Sequence, residues 1–146
     1  MSLKFGLLSF WSLWHSIVLL TNLFDGLKQL GVLPAGWRFA SKNYDAIVKA
    51  TQKYQPAPWI IRLLFSGVLI WQLLILVGFG WALVASIRTG RMDPDYVNIA
   101  FGLSLSLLAA FIVADELCTE YDTEHGHILF FIAQLVTVIA LAVLPR

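Results

Sequence analysis

The amino-acid sequence predicts an all-α integral membrane protein, an antiparallel four-helix bundle with an interfacial amphipathic helix in its first loop. Three observations carry this expectation. Hydrophobic residues fill 59% of the 146 positions and charged residues only 13%, whereas an ordinary soluble domain is roughly 25% charged. The mean hydropathy is +0.78. The apolar residues also gather into four runs, at 5–24, 59–87, 96–114 and 128–144, near the ~20 residues that a bilayer core requires.

The first run follows Lys4 and ends in "LLTNLFDG", without the small-residue pattern of a cleavage site, so it reads as a retained span rather than a secretory signal. Leu23, Phe24, Leu27 and Leu30 continue it as an amphipathic helix until Gly31 and Pro34 stop it. In the first loop, 25–58, Trp37 and Phe39 form an interfacial aromatic pair. Ser41 or Asn43 then caps a short helix with Tyr44, Ile47, Val48 and Thr51 on one face and Lys42, Lys49, Gln52 and Lys53 on the other. Such a helix lies along the membrane surface, either as a cover for the bundle or as a surface that meets a partner. "QPAPW" ends it, and Trp59 anchors the second span. The short connections "RTGRMDPD" and "DELCTEYDTEHGH" make the later spans antiparallel neighbours. The chain reads as one domain, 1–146.

Four spans put both termini on one side, together with Arg88 and Arg91, while 115–127 holds no Lys or Arg. The positive-inside rule then makes the termini cytoplasmic and the acidic turn external, in a bacterial inner membrane. Lys28, Arg38, Lys42, Lys49 and Lys53 of the first loop oppose this orientation, with the reduced weight of a longer loop. A net charge of +1 and scattered Lys and Arg argue against a nucleic-acid partner. The single cysteine, Cys118, has no partner for an internal disulfide or a CxxC motif.

Polar residues inside the spans are costly and point to the interior. Counted from the outer surface, His15 lies about 13 Å deep, Ser106 about 12 Å, Gln134 about 10 Å and Gln72 about 18 Å. The first expectation is a hydrogen-bond cluster that fixes helix register; the alternative is a quinone or proton-relay site formed by His15, Gln72 and Gln134. Haem held by two histidines is disfavoured, because His125 and His127 sit about 12 Å from the level of His15. Beyond a quinone or lipid, no cofactor is expected.

Five of the nine carboxylates, Asp115, Glu116, Glu120, Asp122 and Glu124, fall in the third connection with His125 and His127. Glu116, Glu120, His125 and His127 are candidates for a mixed carboxylate–histidine cation site. The preferred reading pairs these acids with Arg38, Lys42, Lys49 or Lys53 of the first loop. Gly102, Ser106, Ala110 and Ala114 recur every four residues and form a small-residue helix-packing face, inside the bundle first and against another subunit second. That placement turns Phe101, Leu105, Leu108 and Ile112 toward lipid or a neighbour.

Asn22 with Asp25 at the exit of span one, Trp37, Phe39 and Tyr44 in the first loop, and Glu116 at the end of span three resemble a family of small four-span bacterial integral membrane proteins to which no activity is assigned. The resemblance implies a fold and a location. Without a catalytic constellation in the sequence, the expected role is non-enzymatic: an accessory subunit of a larger respiratory or photosynthetic inner-membrane complex, with other subunits and lipids as its partners.

Overall fold

The computed structural model describes residues 3–144. It holds the helices α1 (Leu3–Gln29), α2 (Asn43–Thr51), α3 (Pro58–Thr89), α4 (Pro94–Cys118) and α5 (Tyr121–Val143), with a short 3-10 turn at Gln52–Tyr54 and no strand among the described residues. Helices α1, α3, α4 and α5 are each long and apolar enough to cross a membrane. At 1.5 Å per residue they extend about 35 to 48 Å, beyond the ~30 Å of a hydrocarbon core.

The helix ends follow from local chemistry. Gly31, at φ +72°, turns the chain after α1, and the Val32 amide donates back to the Leu27 carbonyl. Pro58 and Pro94 open α3 and α4, where a missing amide hydrogen costs nothing, and Asp93 accepts the Asp95 amide at 3.0 Å. Gly90 ends α3 in the left-handed region. Thr119, at φ +58°, ends α4: its amide donates to Glu116 O and that of Glu120 to Asp115 O, a Schellman-type closure.

This closure corrects the expectation of an acidic turn over 115–127. Helix α4 runs through Cys118 and α5 begins at Tyr121, seven residues before the expected 128, so only Thr119 and Glu120 lie outside helix. Asp122 and Glu124 sit in the first turn of α5, where carboxylates favour the positive end of the helix dipole. A search for apolar residues sees none of this stabilisation.

Close backbone approach joins α1 to α3, α3 to α4 and α4 to α5, while α2 rests on α1, α3 and α4. The core is built from Leu8, Trp11, Ile75, Phe79, Ala82, Val97, Ala100, Phe101 and Leu141. Phe79 and Phe101 meet edge to face with centroids 4.9 Å apart, and Trp11 closes on Phe101 at 6.5 Å.

The small-residue stripe is not part of this core. Gly102, Ser106, Ala110 and Ala114 are all exposed, whereas Val97, Ala100, Phe101, Ser104 and Asp115 form the buried face of α4. Phe101 therefore points inward, opposite to the sequence expectation. The tight contact between α3 and α4 is made by Gly78 instead, where an added Cβ would stand 3.4 Å from the Ala100 Cα.

Replacing Gly78 by Leu should force α3 from α4 and cost about 1–3 kcal/mol, whereas Gly80→Leu, with nothing within 4 Å of an added Cβ, should cost far less. Thermal unfolding of the two variants in one detergent makes the comparison, and equal melting temperatures would contradict this packing.

Candidate functional site

On α1, Leu8, Trp11, Ser12, His15, Asn22 and Asp25 are buried. Their spacing of three, four and seven residues puts them on one face. Polar groups from the other helices meet that face at successive levels.

At the middle level, His15 Nε2 lies 3.1 Å from Ser104 Oγ on α4 and 3.2 Å from Gln134 Nε2 on α5. Gln134 Oε1 is buried without a hydrogen-bond partner among the described residues. The imidazole stacks on Phe79 with centroids 5.0 Å apart and has Trp11 at 6.1 Å. One level further toward the termini, the Trp11 indole N–H donates to Thr137 Oγ1 at 3.1 Å, and Thr137 passes its own hydrogen to the Ala133 carbonyl. These contacts tie α1 to α4 and α5.

Nearer the α2 end, Asn22 Nδ2 donates to Gln72 Oε1 at 2.9 Å, and Asn22 Oδ1 accepts from Asn43 Nδ2 at 2.7 Å. One turn on, Asp25 Oδ2 accepts from Ser41 Oγ at 3.1 Å and from the Tyr44 amide at 2.9 Å. Helix α2 has no side-chain cap from its own flanking residue Lys42. Its first turn is capped by a buried carboxylate of α1, which also faces the positive end of the α2 dipole. The expected capping by Ser41 is present at the Asn43 amide, which donates to Ser41 Oγ at 3.3 Å, and Asp25 of α1 adds a cap at the Tyr44 amide.

At the α4–α5 connection, Asp115 Oδ2 and His127 Nδ1 are 2.5 Å apart, with Phe111 against the imidazole at 4.9 Å. The first loop reaches this connection. Lys49 Nζ lies 3.8 Å from Glu120 Oε2, Lys53 Nζ donates to Thr119 Oγ1 at 3.2 Å, and the Tyr54 hydroxyl donates to the Leu117 carbonyl at 2.6 Å. Pairing of the acids with the loop is therefore present through Lys49 and Glu120, while Lys53 reaches the neighbouring Thr119 hydroxyl. Among the described residues Arg38 and Lys42 form no ion pair with it. Lys49 is largely exposed, so its ion pair contributes at most about 1 kcal/mol.

Of the candidate quinone ligands, His15 and Gln134 come together while Gln72 is bonded to Asn22, seven residues or about 10 Å along α1 from His15. Ser106 faces outward, and Ser104 takes the place expected for it. The candidate cation ligands do not converge. His127 bonds Asp115, Glu120 faces Lys49, and Glu116 and His125 are exposed. Among the described residues no three His, Cys, Asp or Glu side chains are grouped to hold a metal.

Sequence reasoning missed the structural roles of Asp25, Asn43, Ser104 and Asp115. A signal for two of them exists. Asp115 precedes the polar segment directly, and stepping back from it by three or four residues gives Phe111, Leu108, Ser104, Phe101 and Val97, which includes most of the observed inward face of α4. Compared with protein-family models, curated proteins and solved structures, the chain finds no match.

Asp25→Ala should release α2 by removing two hydrogen bonds to a charged acceptor, at a cost of about 3 kcal/mol. Amide exchange over residues 41–51 should accelerate in this variant. It should remain unchanged in Asp45→Ala, whose carboxylate accepts only an exposed 3.4 Å contact from Gln29.

Proposed function

We propose that the chain is a non-catalytic accessory subunit of a larger inner-membrane complex, with respiratory and photosynthetic assemblies as the first place to look. In this reading α1, α3, α4 and α5 form an antiparallel bundle across a bacterial inner membrane, with cytoplasmic termini and the α4–α5 connection outside. The resemblance to small four-span bacterial membrane proteins belongs to the same reading.

One observation carries it: Gly102, Ser106, Ala110 and Ala114 line the outward face of α4 and take no part in the core. Within lipid, helices associate through close packing and interhelical hydrogen bonds, and small residues allow backbones to approach. A face of this kind left uncovered by its own chain suits a helix of another subunit. In the interior His15 bonds Ser104 and Gln134, and Asn22 bonds Gln72, with Gln134 Oε1 left without a partner among the described residues. Separation of Gln72 from His15 and Gln134 leaves the quinone alternative two of its three residues.

In mildly solubilised native membranes, the wild-type chain should migrate within a high-mass band. Gly102→Leu combined with Ala110→Leu should shift it to a low-mass band without changing its melting temperature. Wild-type chain running alone, or unchanged migration of the double variant, would contradict the proposal.

A further inference from the structure

We propose that the termini end of the protein binds an anionic phospholipid, with its phosphate held by Lys4 and Arg91. The inference needs only that the four long helices cross a bilayer, and it is independent of any partner subunit. A cavity of about 880 Å³ opens where the first turn of α1, the α3–α4 connection and the last turns of α5 come together. It lies beyond the Trp11–Thr137 hydrogen bond, the last side-chain hydrogen bond between α1 and α5 on the way to this end.

The chemistry of the walls is divided. Lys4 and Arg91 supply two cations, and Asn98 adds a carboxamide. Val97, Val138 and Leu141 line the same space with hydrocarbon. Ion pairs among the described residues are Lys49 with Glu120 and Asp115 with His127, so neither Lys4 nor Arg91 is paired with a described acid. Among the described residues no acidic side chain lines the cavity. The nearest acids in sequence are Asp93 and Asp95, and the Asp93 carboxylate accepts the Asp95 amide at the start of α4.

Depth matches the same ligand. From Ala142 to Val138 the lining runs four residues along α5, about 6 Å, a span that matches the passage from a phosphate to the first acyl methylenes of a lipid lying beside a membrane-crossing helix. A free phosphate would meet the cations but gain nothing from the apolar wall. A zwitterionic lipid would fill the wall but bring an ammonium group to a site with two cations and no acid among the described residues. An anionic glycerophospholipid satisfies both parts, and basic pockets between membrane helices are suited to such headgroups.

The test uses the full chain in nanodiscs of equal phosphatidylglycerol and phosphatidylcholine, released for native mass spectrometry. Wild type should retain phosphatidylglycerol in preference to phosphatidylcholine. Lys4→Gln with Arg91→Gln should lower that retention on the order of tenfold. Lys49→Gln with Lys53→Gln, which removes the same charge at the opposite end, should leave it unchanged. Ala142→Trp, at an exposed cavity residue outside the core, should displace the lipid while both cations remain, with helix content checked by circular dichroism. Equal retention of the two lipids by wild type, undiminished retention by the Lys4/Arg91 variant, or displacement of the lipid by inorganic phosphate would each overturn the proposal.

Discussion

Polar side chains within a hydrocarbon core have no water to bond, and each one left without a partner costs several kcal/mol. Helix α1 carries His15, Asn22 and Asp25 inward on one face, so groups from other elements must arrive at matching heights. Ser104 and Gln134 meet His15, Gln72 and Asn43 meet Asn22, and Ser41 with the Tyr44 amide meets Asp25. A slip of α5 by one turn, about 5.4 Å, would break the His15 contact with Gln134 and the Trp11 contact with Thr137 together. The relative heights of α1, α3, α4 and α5 follow from these pairings.

Stability and register have different sources. Hydrogen bonds between membrane helices contribute about 0.6 to 2 kcal/mol each, and the few present here do not hold four long helices together unaided. The packing of Phe79, Phe101, Trp11 and Ile75, with Gly78 drawn against Ala100, supplies the larger dispersion term. Apolar packing of this kind tolerates sliding, and the polar pairs select one arrangement among those it allows. The two ends of the molecule differ as a result. At the α2 end, Asp25 and Asn22 are buried under α2, and the loop bonds the α4–α5 connection at the surface. At the termini end, an apolar wall and two cations border an open cavity.

The four long helices were legible because each contains an apolar run of spanning length, and α1 stopped near Gly31 as its sequence foretold. The start of α5 was hidden, since the helix extends through Asp122, Glu124 and His127, where hydropathy falls but the helix dipole favours acids. Depth was read well for His15 and Gln134 and misread for Gln72, and direction around α4 was misread as well. Ser106 and Ser104 differ by only 3 Å in height but by about 200° around α4, and the four-residue stripe drew the choice to the wrong one. Glu116 was taken with Glu120 as a cation-site candidate, although it is Asp115 that turns inward to His127. Gln72 was placed with His15 by depth alone, while its bond runs to Asn22. No single-chain pattern reveals that Asp25 would cap a helix eighteen residues later, because that contact depends on how the loop folds back.

His15 is the point where α1, α4 and α5 are joined. Solid-state NMR of the protein in lipid, with the His15 imidazole and the Gln134 carboxamide selectively labelled with ¹⁵N and ¹³C, measures that junction directly. A through-space coupling matching the 3.2 Å contact between His15 Nε2 and Gln134 Nε2 is the predicted result. Absence of coupling in a folded, lipid-embedded sample would mean that α1 and α5 are not joined at this level, and the register argument would fail.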